Sequence, residues 1–293
     1  MNFIAKRLRR RASGPGAVLS VFALAIAAGA APARAADGDA PGARAARAEA
    51  QTAQDFVQLG AGIDYSRGDY GDSADTSVAA IPLSIKYVHR ALTLRVSLPY
   101  ARVTGPGTLV STTDGSPGGA GTGGTPGPAM RRTEGFADMF VALSYAFDLV
   151  PDSLLFDLTG KVKIPTGSVR KELGTGQADF IAAGTLTKVL GPVNIYVEGR
   201  HRFSGRSAAF PARNTWGASA GAAIRAGRRM TLALDYDWQQ SAFRGNVAAS
   251  ELTGSATLRL SPSWRLQAYA TAGFSTNSVD HGAGLQILYR FGR

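Results

Sequence analysis

The chain has no cysteine and only three histidines in 293 residues. Without cysteine there is no disulfide framework, so stability must come from the fold itself. His89, His201 and His281 are scattered, and with no thiolate beside them they form no ligand set of metal-site spacing. Long apolar runs are also missing: nothing after residue 35 approaches the roughly 18–20 residues of a membrane-crossing helix. If the mature chain enters a bilayer, it does so as a closed sheet, the other architecture that satisfies its own backbone. Acidic residues are few, 21 Asp and Glu against 32 Lys and Arg, for a formal charge of +11.

Much of that excess belongs to one end. Lys6, Arg7, Arg9, Arg10 and Arg11 precede an apolar run from Ala17 to Ala33, and Ala33-Arg34-Ala35 closes it. This reads as a secretory signal peptide over residues 1–35. Its loss takes the charge from +11 to +5, which leaves little ground for a nucleic-acid partner. Residues 36–54, rich in alanine, read as a flexible periplasmic segment, and residues 55–293 as one membrane domain.

That domain alternates. In Phe156, Leu158, Val162 and Ile164 against Asp157, Thr159, Lys161 and Lys163, apolar and polar side chains exchange at a period of two. Met139, Val141, Leu143, Tyr145 and Phe147 repeat the pattern on the preceding run. Segments of about this length recur near 55–66, 76–88, 91–104, 135–147, 153–165, 176–188, 193–204, 214–226, 230–241, 248–260, 264–275 and 281–291. They suit tilted bilayer strands of about 9–11 residues better than ordinary strands of about 5–6. The connections alternate short and long, the latter including Gly105–Glu134, as in a barrel with short periplasmic turns and longer outer loops. The expected fold is an all-β transmembrane antiparallel barrel of about 12 strands.

Aromatics agree with this. Trp264 and Phe274 share a parity ten residues apart, roughly 25 Å along the barrel axis for a tilted strand, the height of the apolar band between two aromatic girdles. Charges on the lipid parity are Asp55, Arg102, Lys188 and His201, all near strand ends, where long side chains reach the interface. The inward parity carries Lys86, Arg95, Lys161, Lys163, Arg200, Arg202, Arg225, Arg259, Arg265 and Arg290. Against them stand Asp64, Asp138, Asp157, Asp179, Glu198, Asp235, Asp237 and Glu251. Lys161, Lys163, Arg200 and Arg202 are expected as a basic ring toward the outer end, with Tyr196 and Tyr269 as inward aromatic contacts. The charges either pair across the wall and stiffen a nearly filled barrel, or line a narrow pore favouring anionic or aromatic solutes.

Three short motifs carry a family resemblance. They are Gly135-Phe-Ala-Asp138, Lys161-Val-Lys163-Ile-Pro165-Thr-Gly167, and Leu173-Gly-Thr-Gly176-Gln-Ala-Asp179-Phe180 followed by Gly191-Pro192. Together they resemble the bacterial outer-membrane transporter family labelled meta-pathway of phenol degradation proteins, most strongly over 135–200 and in pattern over 55–291. The resemblance implies a small barrel passing small molecules, with no catalytic residues and no cofactor. The last strand, Leu285 to Phe291, resembles the signal read by the barrel-assembly machinery, although Gly292 and Arg293 follow the aromatic that normally ends it.

Other chemistry is weaker. Gly119-Ala-Gly121-Thr-Gly-Gly124 has the spacing of a dinucleotide fingerprint but lacks the strand and helix that make one work. Asp235 and Asp237 with Asp280-His281, or His201 with Ser204, would be the residues of an outer-membrane hydrolase. The expected function is a passive outer-membrane channel or transporter for small molecules in a Gram-negative bacterium, surrounded by outer-membrane lipid. The alternatives are that hydrolase, or a sealed structural or adhesive barrel acting through Gly105–Glu134.

Overall fold

The computed structural model describes residues 55–70, 74–106, 130–208 and 210–292. The expected signal peptide, the 36–54 segment, the Gly119–Gly124 spacing and most of the Gly105–Glu134 loop lie outside the described residues. The strands are β1 (Phe56–Gly68), β2 (Thr76–His89), β3 (Leu92–Gly105), β4 (Arg131–Phe136), β5 (Met139–Val150), β6 (Leu154–Ile164) and β7 (Asp179–Leu190). They continue as β8 (Val193–Phe203), β9 (Thr215–Ala226), β10 (Met230–Gln239), β11 (Ala249–Arg259), β12 (Trp264–Gly273) and β13 (His281–Phe291). Successive strands pair antiparallel, except that β4 and β5 both pair with β3, and β13 closes on β1 from Val57↔Phe291 to Arg67↔His281. The result is a closed 12-strand antiparallel barrel in which β4 and β5 share one stave.

That shared stave corrects the expectation of one continuous strand over 135–147. Ser97 of β3 pairs with Phe140, yet three residues on, Tyr100 pairs with Phe136, four residues back. One extra residue therefore sits in the β4–β5 stave, at Ala137–Asp138, and bulges of this kind re-aim side chains. It lets Phe136 and Met139, of opposite parity, both face outward. It also separates β4 from β6, since β6 pairs with β5 only up to Met139↔Ile164. A turn of 3-10 helix, Val169–Lys171, lies against β4 instead. Lys171 Nζ donates to the Glu134 carbonyl at 3.0 Å, covering an otherwise open sheet edge.

The alternation has its expected consequence. On β2, Ile81, Leu83, Ile85 and Tyr87 stand exposed outside while Val78, Ala80 and Lys86 are buried inside. Each large apolar side chain moved from water into hydrocarbon contributes about 1.5–3 kcal/mol, so this exterior suits lipid. Among the described residues no helix is long and apolar enough to cross a membrane, and the strands carry the apolar surface.

Rings gather at both ends of the wall. Trp264–Tyr289–Phe291 and Tyr145–Phe147–Phe156 form chains near the short turns. Tyr100–Phe136, Phe180–Phe203 and His201–Trp216 do so near the long loops. The outward charges have partners: Arg102 Nε bonds Glu134 at 2.7 Å, Asp55 bonds His89 at 2.6 Å, and Lys188 donates to Ser153 Oγ.

Candidate functional site

The three motifs converge on one spot inside the outer end of the barrel. Lys163 of β6 places Nζ 3.2 Å from Asp138 at the bulge and 3.0 Å from Asp179 at the start of β7. Arg202 of β8 grips Asp179 from the other side. All four side chains are buried. Buried charge is tolerated only when paired and further hydrogen-bonded, and the loop after β6 completes the set. Asp138 Oδ1 accepts from Gly167 N at 3.0 Å, Asp179 Oδ1 accepts from Gly205 N at 2.8 Å, and Lys163 donates to Thr175 Oγ1 at 2.8 Å. The motif residues are thus the anchor of a loop.

That loop, between β6 and β7, turns into the lumen. Leu173, 1% exposed, packs with Val78 of β2 and Val103 of β3, whose side chains face inward three and two staves away from β6, respectively. Two glycines make room for it. A Cβ on Gly174 would stand 2.4 Å from Asp138 Oδ1, and one on Gly135 would meet Leu173 Cδ1 at 3.0 Å. Gly135 also has a φ of +154°, which disfavours other residues.

Of the four expected basic residues, Lys163, Arg200 and Arg202 pair with carboxylates. Arg200 bridges Glu198 at 3.3 Å and Asp237 at 2.7 Å and donates to Gln239 at 3.2 Å. Tyr196 donates its hydroxyl to Asp235, and Thr185 donates to Glu198 at 2.9 Å. Lys161 sits over Phe140, 5.9 Å from the ring centre. Lys86 and Arg95 lie directly opposite each other on β2 and β3, both buried, as are Asp157, Glu251 and Tyr269. Arg259 opposes Arg265 across β11 and β12. At the short-turn rim Arg225 and Arg259 are exposed and donate to backbone carbonyls, those of Gly191 and Arg228.

The residues of the hydrolase alternative make other contacts. His201 lies between Phe203, which it meets edge-on, and Trp216, to which it is tilted, while Ser204 Oγ donates to Arg213 O at 3.0 Å. Asp235 and Asp237 hold Tyr196 and Arg200. His281 is exposed, and the neighbouring Asp280 donates its backbone N–H to Arg67 O. Among the described residues no group of three or more His, Cys, Asp or Glu is arranged to hold a metal.

Sequence reasoning missed several inward groups. Phe56 on β1 lies under Arg290, whose guanidinium carbon is 3.7 Å from the ring centre. Phe140 is 2% exposed inside the wall, a position its small neighbours Ala142 and Ser144 on the same parity disguise. Tyr70, in the loop after β1, is also buried, and burial first, then the charge of Glu251, raises its phenol above the ordinary range. Leu173 sits in a connection, where no periodicity exists to read.

No protein-family model matches the chain, and no curated protein matches it in sequence. Solved structures do match it. An outer membrane channel from Pseudomonas putida F1 superposes with TM-score 0.62 at 14% identity, over 81% of this chain and 96% of that one. The NanC porin gives 0.52 at 9% identity, over 79% and 98%. The KdgM porin gives 0.51 at 7% identity, over 80% and 99%. At such identities the likeness is one of fold, and that fold is the outer-membrane β-barrel.

Proposed function

We propose that the protein is a passive outer-membrane channel for small molecules, with no covalent step. The observation that carries this reading is the division of a closed wall into an apolar outside and an inside of charged and aromatic side chains. A wall of that kind faces lipid on one side and accommodates water and polar solutes on the other. The shared fold with a channel and two porins supports it.

The finer proposal is that aromatic or anionic solutes are favoured. Phe56, Phe140, Tyr196 and Tyr269 offer inward rings, and Lys86 faces Arg95 on the wall. The motif resemblance to the phenol meta-pathway label points the same way. Export by the N-terminal segment and insertion by the barrel-assembly machinery through the strand ending at Phe291 belong to the same proposal.

One observation favours a second reading, a sealed barrel. Lys86, Arg95, Lys163 and Arg202 are all less than a tenth exposed, so the wall charges are well covered. Planar-bilayer recording separates the two. Discrete conductance steps from the purified protein support the channel, and a silent bilayer supports the sealed barrel.

A further inference from the structure

The geometry points to Leu173 as the residue that sets the size limit of the lumen at its outer mouth. This rests on the passive-channel reading and adds the group that would discriminate between solutes.

The reasoning starts from where the β6–β7 loop ends up. A connection between adjacent antiparallel strands needs only to reverse direction, yet this one leaves its own hairpin. It passes β4 and delivers one leucine to the inner wall of β2 and β3. A leucine placed there is removed from water, and the wall residues that receive it are the buried Val78 and Val103. Three apolar side chains meeting inside the mouth narrow it with surfaces that hold no water.

The loop is fixed at both feet. Gly167, just after β6, bonds the Asp138 carboxylate, and Thr175, just before β7, receives the Lys163 ammonium. Between them Lys171 ties to the Glu134 carbonyl and Arg131 to Glu172 at 3.4 Å. A segment anchored this way holds Leu173 in one place, and a fixed apolar side chain in a mouth acts by its volume.

The test uses the full-length protein reconstituted in liposomes, with swelling rates measured for neutral solutes graded in size. Leu173→Ala, Leu173→Trp and the volume-conserving Leu173→Met are compared with the unaltered chain, each first shown to be folded by its heat-modifiable gel mobility. The expected result is that Leu173→Ala raises the flux of the larger solutes several-fold and that of the smallest least. Leu173→Trp lowers the large-solute flux, and Leu173→Met leaves the profile as it was. Conduction by the unaltered protein with one size profile for all variants overturns the assignment and leaves the channel reading standing. Widening by both Leu173→Ala and Leu173→Trp also overturns it, since that is release of the loop and not a filter set by one side chain. Silence from every form overturns the assignment together with the channel reading.

Discussion

Lys163 Nζ and Asp138 Oδ2 stand 3.2 Å apart, with neither side chain exposed to solvent. They belong to β6 and to the bulge on the neighbouring stave, so the pair ties the irregular part of the wall to the regular part. Asp179 and Arg202 extend the tie across β7 and β8. Removing one member of a buried pair leaves the other uncompensated, at a cost of about 3–5 kcal/mol. Lys163→Ala, which leaves the Asp138 carboxylate without its cation, is therefore expected to lower the unfolding midpoint in denaturant by more than any single change on the outer face near the rims. An unchanged midpoint would mean that water already screens the site.

Gly174 is expected to tolerate no side chain. An alanine Cβ would press on the Asp138 carboxylate, and overpacking of this kind costs about 1–3 kcal/mol. Protease nicking within the β6–β7 loop, faster in Gly174→Ala than in the unaltered protein, checks it. Equal nicking rates would show that the carboxylate moves aside freely.

Arg200 holds three acceptors on β8 and β10. Arg200→Ala leaves Glu198 and Asp237 without that cation, so the local field becomes more negative and attracts cations. The expected outcome is a reversal potential, under a salt gradient, shifted toward cation preference. No shift would place Arg200 away from the ion path.

The architecture was legible because lipid on one side and polar groups on the other enforce a strict period of two, and few residues break it. The expected lumen residues were assigned from the same parity. Two features did not follow. The bulge at Ala137–Asp138 leaves only a faint mark, two outward side chains, Phe136 and Met139, on opposite parities. The inward loop left none, since Leu173 takes its place from tertiary contacts with Val78 and Val103. The carboxylates that stand beside Lys163, Arg200 and Arg202 escaped for a related reason. Parity tells which way a charge points and is blind to the carboxylate brought beside it by the next strand.

Tyr70 gives a pH dependence. Burial and the nearby negative charge of Glu251 favour its neutral phenol, so its folded pKa lies above the ordinary value of 10.0. A raised pKa contributes stability that is present below the ordinary phenol range and is lost as pH climbs above it. Tyr70→Phe should therefore remove the most alkaline component of the tyrosinate absorbance titration and flatten the loss of stability in strong alkali. A missing component at the ordinary phenol value would contradict this.

The outward face can be tested against lipid directly. Leu158 lies midway along β6 and is 53% exposed, while Leu190 closes β7 at a short turn and is 50% exposed. In water the two positions would be equivalent, and arginine at either would cost little. In a bilayer they differ. An arginine at the midplane costs about 2–4 kcal/mol, against about 0–1 near the interface where it reaches the headgroups. Leu158→Arg is thus expected to reduce folding stability in lipid vesicles well beyond Leu190→Arg. Equal tolerance of the two would mean that hydrocarbon does not surround the wall at the level of Leu158, and the membrane reading of the whole outer face would fail with it.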